Sequence, residues 1–114
     1  MLNHDDSYSD IRDAVRDLCA QFPDEYHRKV DEARGYPEAF VDALTKAGWM
    51  AALIPQAYGG SGLSMAEASV IMEEINRSGG NSGACHGQMY VMNAIVRSGS
   101  QAQKDKFLPK IATG

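Results

Sequence analysis

The chain contains 114 residues, a length typical of a single domain with one hydrophobic core. Hydrophobic residues make up 44% of the sequence and charged residues 23%, which is an ordinary globular composition. The formal net charge of -4 argues against nucleic acid binding, since that function favours a basic surface.

The N-terminal end predicts a flexible tail over residues 1–8 and no targeting segment. Its sequence, MLNHDDSYSD, lacks the basic flank and apolar run of a signal peptide and the arginine-rich character of a transit peptide. No apolar run in the chain approaches the roughly 18 residues that a membrane span requires. We therefore expect a cytoplasmic, reducing location and no membrane span.

Two helices with different surfaces are predicted next. Ser7 and Asp10 form a candidate capping box for the first helix, which Pro23 should end. The segment after it, DEYHRKVDEAR, reads as a more charged and more exposed helical stretch that stops at Gly35. The first helix has one apolar stripe at helical spacing, formed by Ile11, Val15, Leu18, Cys19 and Phe22.

A third helix is predicted from Pro37, which suits a first helical position, to Gly48, which suits the residue after a C-cap. Its inner face is Phe40, Val41 and Leu44. The loop that follows contains YGGSG, Tyr58 to Gly62, without the lysine or the strand–loop–helix context of a phosphate-binding loop. We interpret these glycines as residues that supply positive φ angles in a wide turn.

Capping boxes mark two helices in the second half of the chain. Ser64 with Glu67 begins one of them, and Ser100 with Gln103 begins the last, which Pro109 should break or bend. The inner stripe of the first of these helices is Ala68, Ile71, Met72 and Ile75.

The helix between them, from about Ser82 to Arg97, is rich in apolar residues and is expected to be enclosed on most sides. The residues that predict this enclosure are Tyr90, Val91, Met92, Ala94, Ile95 and Val96. Five or six helices with short connections, and no alternation of period two, predict an all-α bundle.

Glycines recur at every fourth position before and within this helix, at Gly79, Gly83 and Gly87. A glycine inside a helix costs about 1 kcal/mol relative to alanine, so its repetition on one face needs a cause. Either another helix crosses closely at these positions, or a ligand lies against them. The spacing leaves both explanations open.

The sulfur and imidazole groups offer few candidates for chemistry. Cys19 and Cys85 are expected to be buried, reduced thiols, and no spacing in the chain suits a zinc site. His4 and His27 are expected to be solvated, whereas His86 lies among glycines on the apolar helix. His86 is interpreted as a hydrogen-bonded core residue or as a catalytic group, without a partner for a triad. The methionines are interpreted as core fillers: Met65, Met72, Met89 and Met92.

The order of the segments resembles the N-terminal helical domain of acyl-CoA dehydrogenases, from about Ile11 to the last residue. The resemblance rests on YPEAFVDALTKAGWMAALIPQAYGGSGLSMAEASVIMEEI, on the small-residue helix, and on SGSQAQKDKFLPKIATG. It implies that residues 9–114 form this domain and that the middle β domain and the C-terminal helical domain lie outside the chain.

The resemblance further implies a flavoprotein oxidoreductase that binds FAD and dehydrogenates an acyl-CoA thioester between its α and β carbons. The catalytic glutamate and nearly all FAD contacts are expected in the other two domains, so the chain alone is expected to be inactive. A homotetramer and electron-transfer flavoprotein as the acceptor are also implied. The isolated domain is expected to self-associate through the surfaces that would meet the other domains.

Carried over position by position, the resemblance predicts one wall of the acyl pocket, formed by Ser82, Gly83, His86, Gly87 and Tyr90. His86 is bulky and polar where an apolar chain is expected to pass, which favours a short, branched or polar acyl group. Two alternatives stay open: a stand-alone helical interaction module derived from this fold, and the same domain in an acyl-CoA oxidase or flavin monooxygenase.

Overall fold

The structure, a computed structural model, describes residues 8–114. Within them the fold is all-α, as predicted, and contains six α-helices and two short 3₁₀ turns. The helices are α1 (Ser9–Cys19), α2 (Asp24–Glu32), α3 (Glu38–Lys46), α4 (Met65–Arg77), α5 (Gly83–Ser98) and α6 (Gln101–Thr113). The 3₁₀ turns, Trp49–Ala51 and Gln56–Tyr58, connect α3 to α4. Ser7 of the predicted first capping box, His4 and the predicted tail up to residue 7 lie outside the described residues. The N-cap of α1 is Tyr8, which was predicted to belong to the tail, and its side chain makes no capping hydrogen bond.

The core forms where the predicted apolar stripes meet. α1 packs against α4, α5 packs against α6, and the turn Trp49–Ala51 contacts α3, α5 and α6. The predicted inner residues are buried or packed against this core, so the helical spacing identified them correctly. The most deeply buried side chains include Val15, Phe40, Leu44, Ile54, Ile71, Ile75, Met92 and Leu108.

An ion cluster joins α1 to α4 and was not predicted. Glu74 of α4 is only 2% exposed. Its carboxylate accepts hydrogen bonds from Arg12 Nη1 at 3.0 Å and from Arg16 Nη2 at 3.0 Å. Because a buried carboxylate without partners is costly, these two arginines make the burial of Glu74 possible.

Both capping boxes within the described residues are confirmed. Glu67 N donates to Ser64 Oγ at 3.2 Å, and Ser64 N donates back to Glu67 Oε1 at 3.0 Å. The pair at the start of α6 is equivalent, with Gln103 N donating to Ser100 Oγ at 3.1 Å. The backbone N–H groups at these helix starts therefore have partners within their own first turn.

The end of α2 differs from the prediction. The left-handed residue is Arg34, with φ of 52°, and not Gly35. Arg34 N donates to Asp31 O at 3.0 Å and Gly35 N donates to Val30 O at 2.9 Å, which is the hydrogen-bond pattern of a Schellman motif. In this motif the left-handed residue directly follows the C-cap, which is Ala33 here. The residue that stops the helix is therefore Arg34, one position before Gly35, the predicted stop. α3 likewise begins at Glu38, with Pro37 as its N-cap.

Pro109 was predicted to break or bend the last helix, and the break is wrong, because α6 continues through it to Thr113. Proline removes one backbone hydrogen bond, but the side chains on both sides of it pack on the core. Leu108 is fully buried, and Ile111 and Ala112 lie against the core cluster. Tertiary packing therefore offsets the local cost of the ring.

The glycine-rich turn behaves as predicted at Gly59 and Gly62, which have φ of 90° and 65°. Gly60 is needed for another reason. A Cβ atom built on Gly60 would overlap the carbonyl oxygen and the Cβ atom of Ile54. Since Ile54 is fully buried, it has no free space into which it could move.

We expect Gly60→Ala to lower the free energy of unfolding by about 1–3 kcal/mol, the usual cost of overpacking a filled site. Gly87→Ala is the matched control, since a Cβ atom at Gly87 meets nothing within 4 Å. The control should keep or raise the stability, because alanine is the better helix former. Urea unfolding followed by circular dichroism measures both. Equal stability of the two variants would contradict the close approach of Gly60 to Ile54.

Both thiols are free and buried, as predicted. Burial raises the pKa of the Cys85 thiol to about 11, and burial is also the main cause of the raised pKa of Cys19. Within residues 8–114, no three side chains among His, Cys, Asp and Glu come together as a metal site would require. In the same residues, no helix combines the length and the apolar character needed to cross a bilayer.

Candidate functional site

Helix α5 has one buried side and one open side. Cys85, Met89 and Met92 are buried against the core. On the other side Tyr90 is 73% exposed and Val91 51% exposed. The prediction that this helix is enclosed on most sides is therefore wrong. We call its exposed side the open face, formed by Gly83, His86, Gly87, Tyr90, Val91 and Ala94.

The regular spacing of three glycines does not have one common cause. Gly79 has φ of 91° and lies between α4 and α5, where it follows the C-cap of α4. Gly83 is the first residue of α5, and its N–H donates to Asn81 Oδ1 at 2.8 Å. A Cβ atom on Gly83 would lie 2.9 Å from that same oxygen, so the reason for this glycine is local.

Gly87 is the glycine without a structural explanation inside the domain. A Cβ atom built on it has no neighbour within 4 Å among the described residues. A close helix crossing at this position is therefore excluded for the part of the chain that the structure describes. Of the two causes that the spacing left open, only contact with something beyond these residues still explains Gly87.

An apolar groove of about 210 Å³ lies between α4 and α5, beside the open face. Of the five predicted site residues, His86 and Tyr90 line it, whereas Ser82, Gly83 and Gly87 do not. Ser82 is the N-cap of α5, and the two glycines are exposed. The structure thus places the five residues on one end and one side of α5 but brings only two of them to the groove. Its other lining residues are Leu53, Met65, Ala68, Ser69, Met72, Met89 and Asn93.

Three polar side chains of α5 border this groove at helical spacing: His86, Tyr90 and Asn93. None of the three makes a side-chain hydrogen bond to the residues that the structure describes. The rings of His86 and Tyr90 are close, with centroids 6.4 Å apart. Ser69, on the α4 side, already donates its hydroxyl to Met65 O at 3.0 Å. Asn93 was not predicted, although its position seven residues after His86 placed it on the same side of the helix.

Of the three histidines, His27 and His86 lie within the described residues, and both have environments that differ from the predicted ones. His86 is exposed and is not the hydrogen-bonded core residue that the sequence favoured. His27, expected to be solvated, is half-buried between Tyr26 and Phe40, with ring centroids 5.2 Å and 5.1 Å away. The rings of Phe22, Tyr26 and Phe40 contact one another and pack α2 against the core. His27, which follows Tyr26 on α2, is partly buried as a result.

A glutamine fixes the position of α5 against its neighbours. The side-chain amide of Gln88 donates to Met50 O at 2.9 Å and to Ile111 O at 3.3 Å. These carbonyls belong to the 3₁₀ turn Trp49–Ala51 and to α6. The side of α5 opposite the open face is therefore held by hydrogen bonds as well as by apolar packing.

Comparison with known proteins gives consistent results along the whole described chain. The family model for "Acyl-CoA dehydrogenase, N-terminal domain" matches residues 5–114. Mitochondrial isovaleryl-CoA dehydrogenase of Pongo abelii is 32% identical over 125 residues, which cover 100% of this chain and 30% of that protein. The Bos taurus enzyme of the same name is 33% identical over 88% of this chain and 25% of its own length.

A bacterial relative has a different stated substrate. (2S)-methylsuccinyl-CoA dehydrogenase of Cereibacter sphaeroides is 33% identical over 108 residues, which cover 88% of this chain and 19% of that protein. The chain thus spans less than a third of the length of each of these curated relatives.

Proposed function

Since this chain belongs to the acyl-CoA dehydrogenase family, as its N-terminal domain, we propose that it supplies one wall of the acyl pocket in a larger enzyme. That enzyme removes one hydrogen each from the α and β carbons of an acyl-CoA thioester. The wall consists of Ser82, Gly83, His86, Gly87 and Tyr90, and its role is to position the acyl group and exclude water from it.

The observation that carries this proposal is the bare backbone at Gly87. A fully exposed helix position usually has no reason to be glycine, which costs about 1 kcal/mol there. No residue described in this chain approaches the position. An acyl group lying against α5 would occupy the space that a side chain would otherwise fill.

FAD is the cofactor that the family relationship suggests for the whole enzyme, but the residues of this domain do not fit it by themselves. Two cavities of about 660 Å³ contain acidic residues: Asp24 and Asp31, with Arg28 as the one Lys or Arg side chain, line the first, and Glu38 and Asp42 line the second. Carboxylates repel the pyrophosphate of a dinucleotide. The helix starts of α4 and α6 are occupied by their own capping boxes. We therefore place the flavin and the catalytic base outside these residues.

Several further properties of the whole enzyme belong to this proposal. They are a homotetrameric assembly, contacts with the remaining domains of the same polypeptide, and electron-transfer flavoprotein as the electron acceptor. A cytoplasmic location also stays a prediction, and the Pongo abelii and Bos taurus relatives are named as mitochondrial proteins.

The proposal is tested with the full-length protein that contains this chain. Addition of a short-chain acyl-CoA under anaerobic conditions should bleach the flavin absorbance, and no bleaching with any acyl-CoA would contradict the assignment. Rapid reoxidation by air instead of by electron-transfer flavoprotein would indicate the oxidase or monooxygenase branch.

The 114-residue chain alone is the complementary test. It should elute from gel filtration without a flavin absorbance band and with an apparent mass above that of a monomer. The expected cause of self-association is the exposed apolar surface of Tyr90, Val91 and Phe107. The alternative, a stand-alone interaction module, would instead bind a separate protein through this surface. In that case the complete polypeptide would contain no flavin and would show no dehydrogenase activity.

A further inference from the structure

The groove between α4 and α5 combines an apolar floor with a polar edge. Leu53, Met72 and Met89 supply apolar surface at its base. No Asp, Glu, Lys or Arg lines it. An occupant that carries a net charge would lose its hydration here without gaining a fixed counter-charge. The groove therefore suits an occupant that is uncharged and mainly hydrocarbon.

The polar edge consists of His86, Tyr90 and Asn93, four and three residues apart along α5. These side chains can all donate hydrogen bonds, and each is without a hydrogen-bond partner among the described residues. His86 and Tyr90 are exposed in this domain, where water can bond to them. In the proposed enzyme the substrate would displace that water, and an unsatisfied buried donor costs free energy. An oxygen atom on the occupant would provide that partner.

The size of the groove limits the occupant. A volume of about 210 Å³ corresponds to about seven groups of the size of a water molecule, at about 30 Å³ each. Because the groove is open on one side, this volume limits only the part of the occupant that lies in it. The outer carbons of a short acyl group with one terminal oxygen are about this size, and a longer chain would extend beyond the groove.

We infer that the groove receives the far end of a short acyl group, which carries an uncharged oxygen held by His86 and Asn93 at the groove's edge, while the part nearer the thioester lies against Gly87. This inference rests on the proposed function and specifies its substrate class. His86 and Asn93 act as specificity-determining residues, with Tyr90 next to them. The hydrogen bonds discriminate against an alkyl group of equal size, since such a group would leave both side chains unpaired.

The experiment compares two substrates of equal length in the full-length enzyme: 5-hydroxypentanoyl-CoA and hexanoyl-CoA. They differ by the exchange of a terminal hydroxyl for a methyl group, which is remote from the reacting carbons. We expect kcat/KM to be at least tenfold higher for the hydroxylated substrate. His86→Leu and Asn93→Leu should each reduce this ratio at least tenfold, mainly through the hydroxylated substrate.

Two further variants separate hydrogen bonding from general damage. Tyr90→Phe removes a hydroxyl at the edge of the groove and should lower the same ratio. Its matched control is Tyr36→Phe, since Tyr36 is also exposed, at 59%, but lies before α3 and away from the groove. The control should leave the ratio and both individual kcat/KM values unchanged.

The outcomes distinguish this inference from the proposed function. One outcome is that hexanoyl-CoA is oxidised with a kcat/KM equal to or higher than that of 5-hydroxypentanoyl-CoA, and that neither His86→Leu nor Asn93→Leu changes the ratio of the two values. This outcome overturns the inference but supports the proposed function. Failure of the enzyme to oxidise any acyl-CoA overturns both.

Discussion

Replacing Gly87 by leucine is expected to lower kcat/KM for the preferred acyl-CoA by about 10²-fold in the full-length enzyme, while the domain stays folded. The isobutyl group would fill the space beside α5 that we assign to the acyl group. A substrate displaced by about 1 Å from its reactive position can lose this much rate. Steady-state kinetics with the preferred substrate measure the loss.

The same variant should not destabilise the domain. A Cβ atom at position 87 meets nothing within 4 Å in the described residues. Leucine also favours a helix more than glycine does, by up to about 1 kcal/mol. The melting temperature should therefore be unchanged or higher, which separates loss of the pocket from loss of the fold.

Ala102→Leu is the matched control for the size of the new side chain, because Ala102 is an exposed residue in the first turn of α6. We expect it to retain full activity. Gly87→Ala, with a single added methyl group, should lie between the wild type and Gly87→Leu. Full activity of Gly87→Leu would mean that the open face is not part of the acyl pocket.

The largest effect on stability is expected from Glu74→Gln, which should lower the free energy of unfolding by about 3 kcal/mol. Glutamine has nearly the same shape but carries no charge to balance Arg12 and Arg16. The side chain of Arg12 is only 11% exposed, and it would keep its contact with the exposed Glu73, at 3.2 Å, but lose the charge of the buried carboxylate. Arg16 is 55% exposed and can return to water, so the loss should lie at the low end for a buried pair.

The wild-type protein should lose this contribution in acid. Burial by itself raises the pKa of Glu74, but the hydrogen bonds from Arg16 and Arg12 outweigh it and hold the pKa below its ordinary value of 4.5. A carboxyl with a lowered pKa in the folded state stabilises the fold above its unfolded pKa and loses that effect as the pH falls through the folded value. Denaturant titrations from pH 7 down to pH 3 should therefore show a smaller loss for Glu74→Gln than for the wild type.

Glu25→Gln is the matched control for Glu74→Gln. Glu25 is a helical glutamate that also forms an ion pair, with Lys29 at 3.1 Å, but both side chains are at least 70% exposed. Exposed pairs of this kind contribute less than about 1 kcal/mol. Equal destabilisation by the two variants would contradict the special role of the buried cluster.

Local features of the sequence predicted much of the fold. The capping boxes at Ser64 and Ser100 depend on residues three positions apart, so their chemistry is visible in the sequence. The burial of Glu74 is different, because it depends on two arginines 58 and 62 residues earlier in the chain. A glutamate on an otherwise apolar helix side gives no local sign that it will be buried.

The errors at α5 and α6 share a physical cause. The apolar residues between positions 90 and 96 lie on all sides of the helix, and the sequence does not show which of these sides meet a neighbour. The arrangement of the other helices decides this, and it leaves Tyr90 and Val91 exposed. Pro109 was judged by its local cost, whereas the packing of Leu108 and Ile111 keeps α6 helical.

The candidate site was predicted only in part. The resemblance predicted a wall on α5 that includes His86 and Tyr90, and these two side chains line the groove. The other wall of the groove includes Met65 and Met72 on α4. The sequence could not predict this wall, because no motif shows how α4 and α5 lie relative to each other.

The two hydrogen bonds of Gln88 limit how a pocket formed on α5 could adapt to different substrates. Sliding or rotating α5 would break both hydrogen bonds of the Gln88 side-chain amide, to Met50 O and to Ile111 O. The backbone of α5 therefore resists such movement. Accommodation of a new acyl group must then come from rotamer changes on its outer surface. Altered selectivity should accordingly evolve through the volume and polarity of a few side chains rather than through movement of the scaffold.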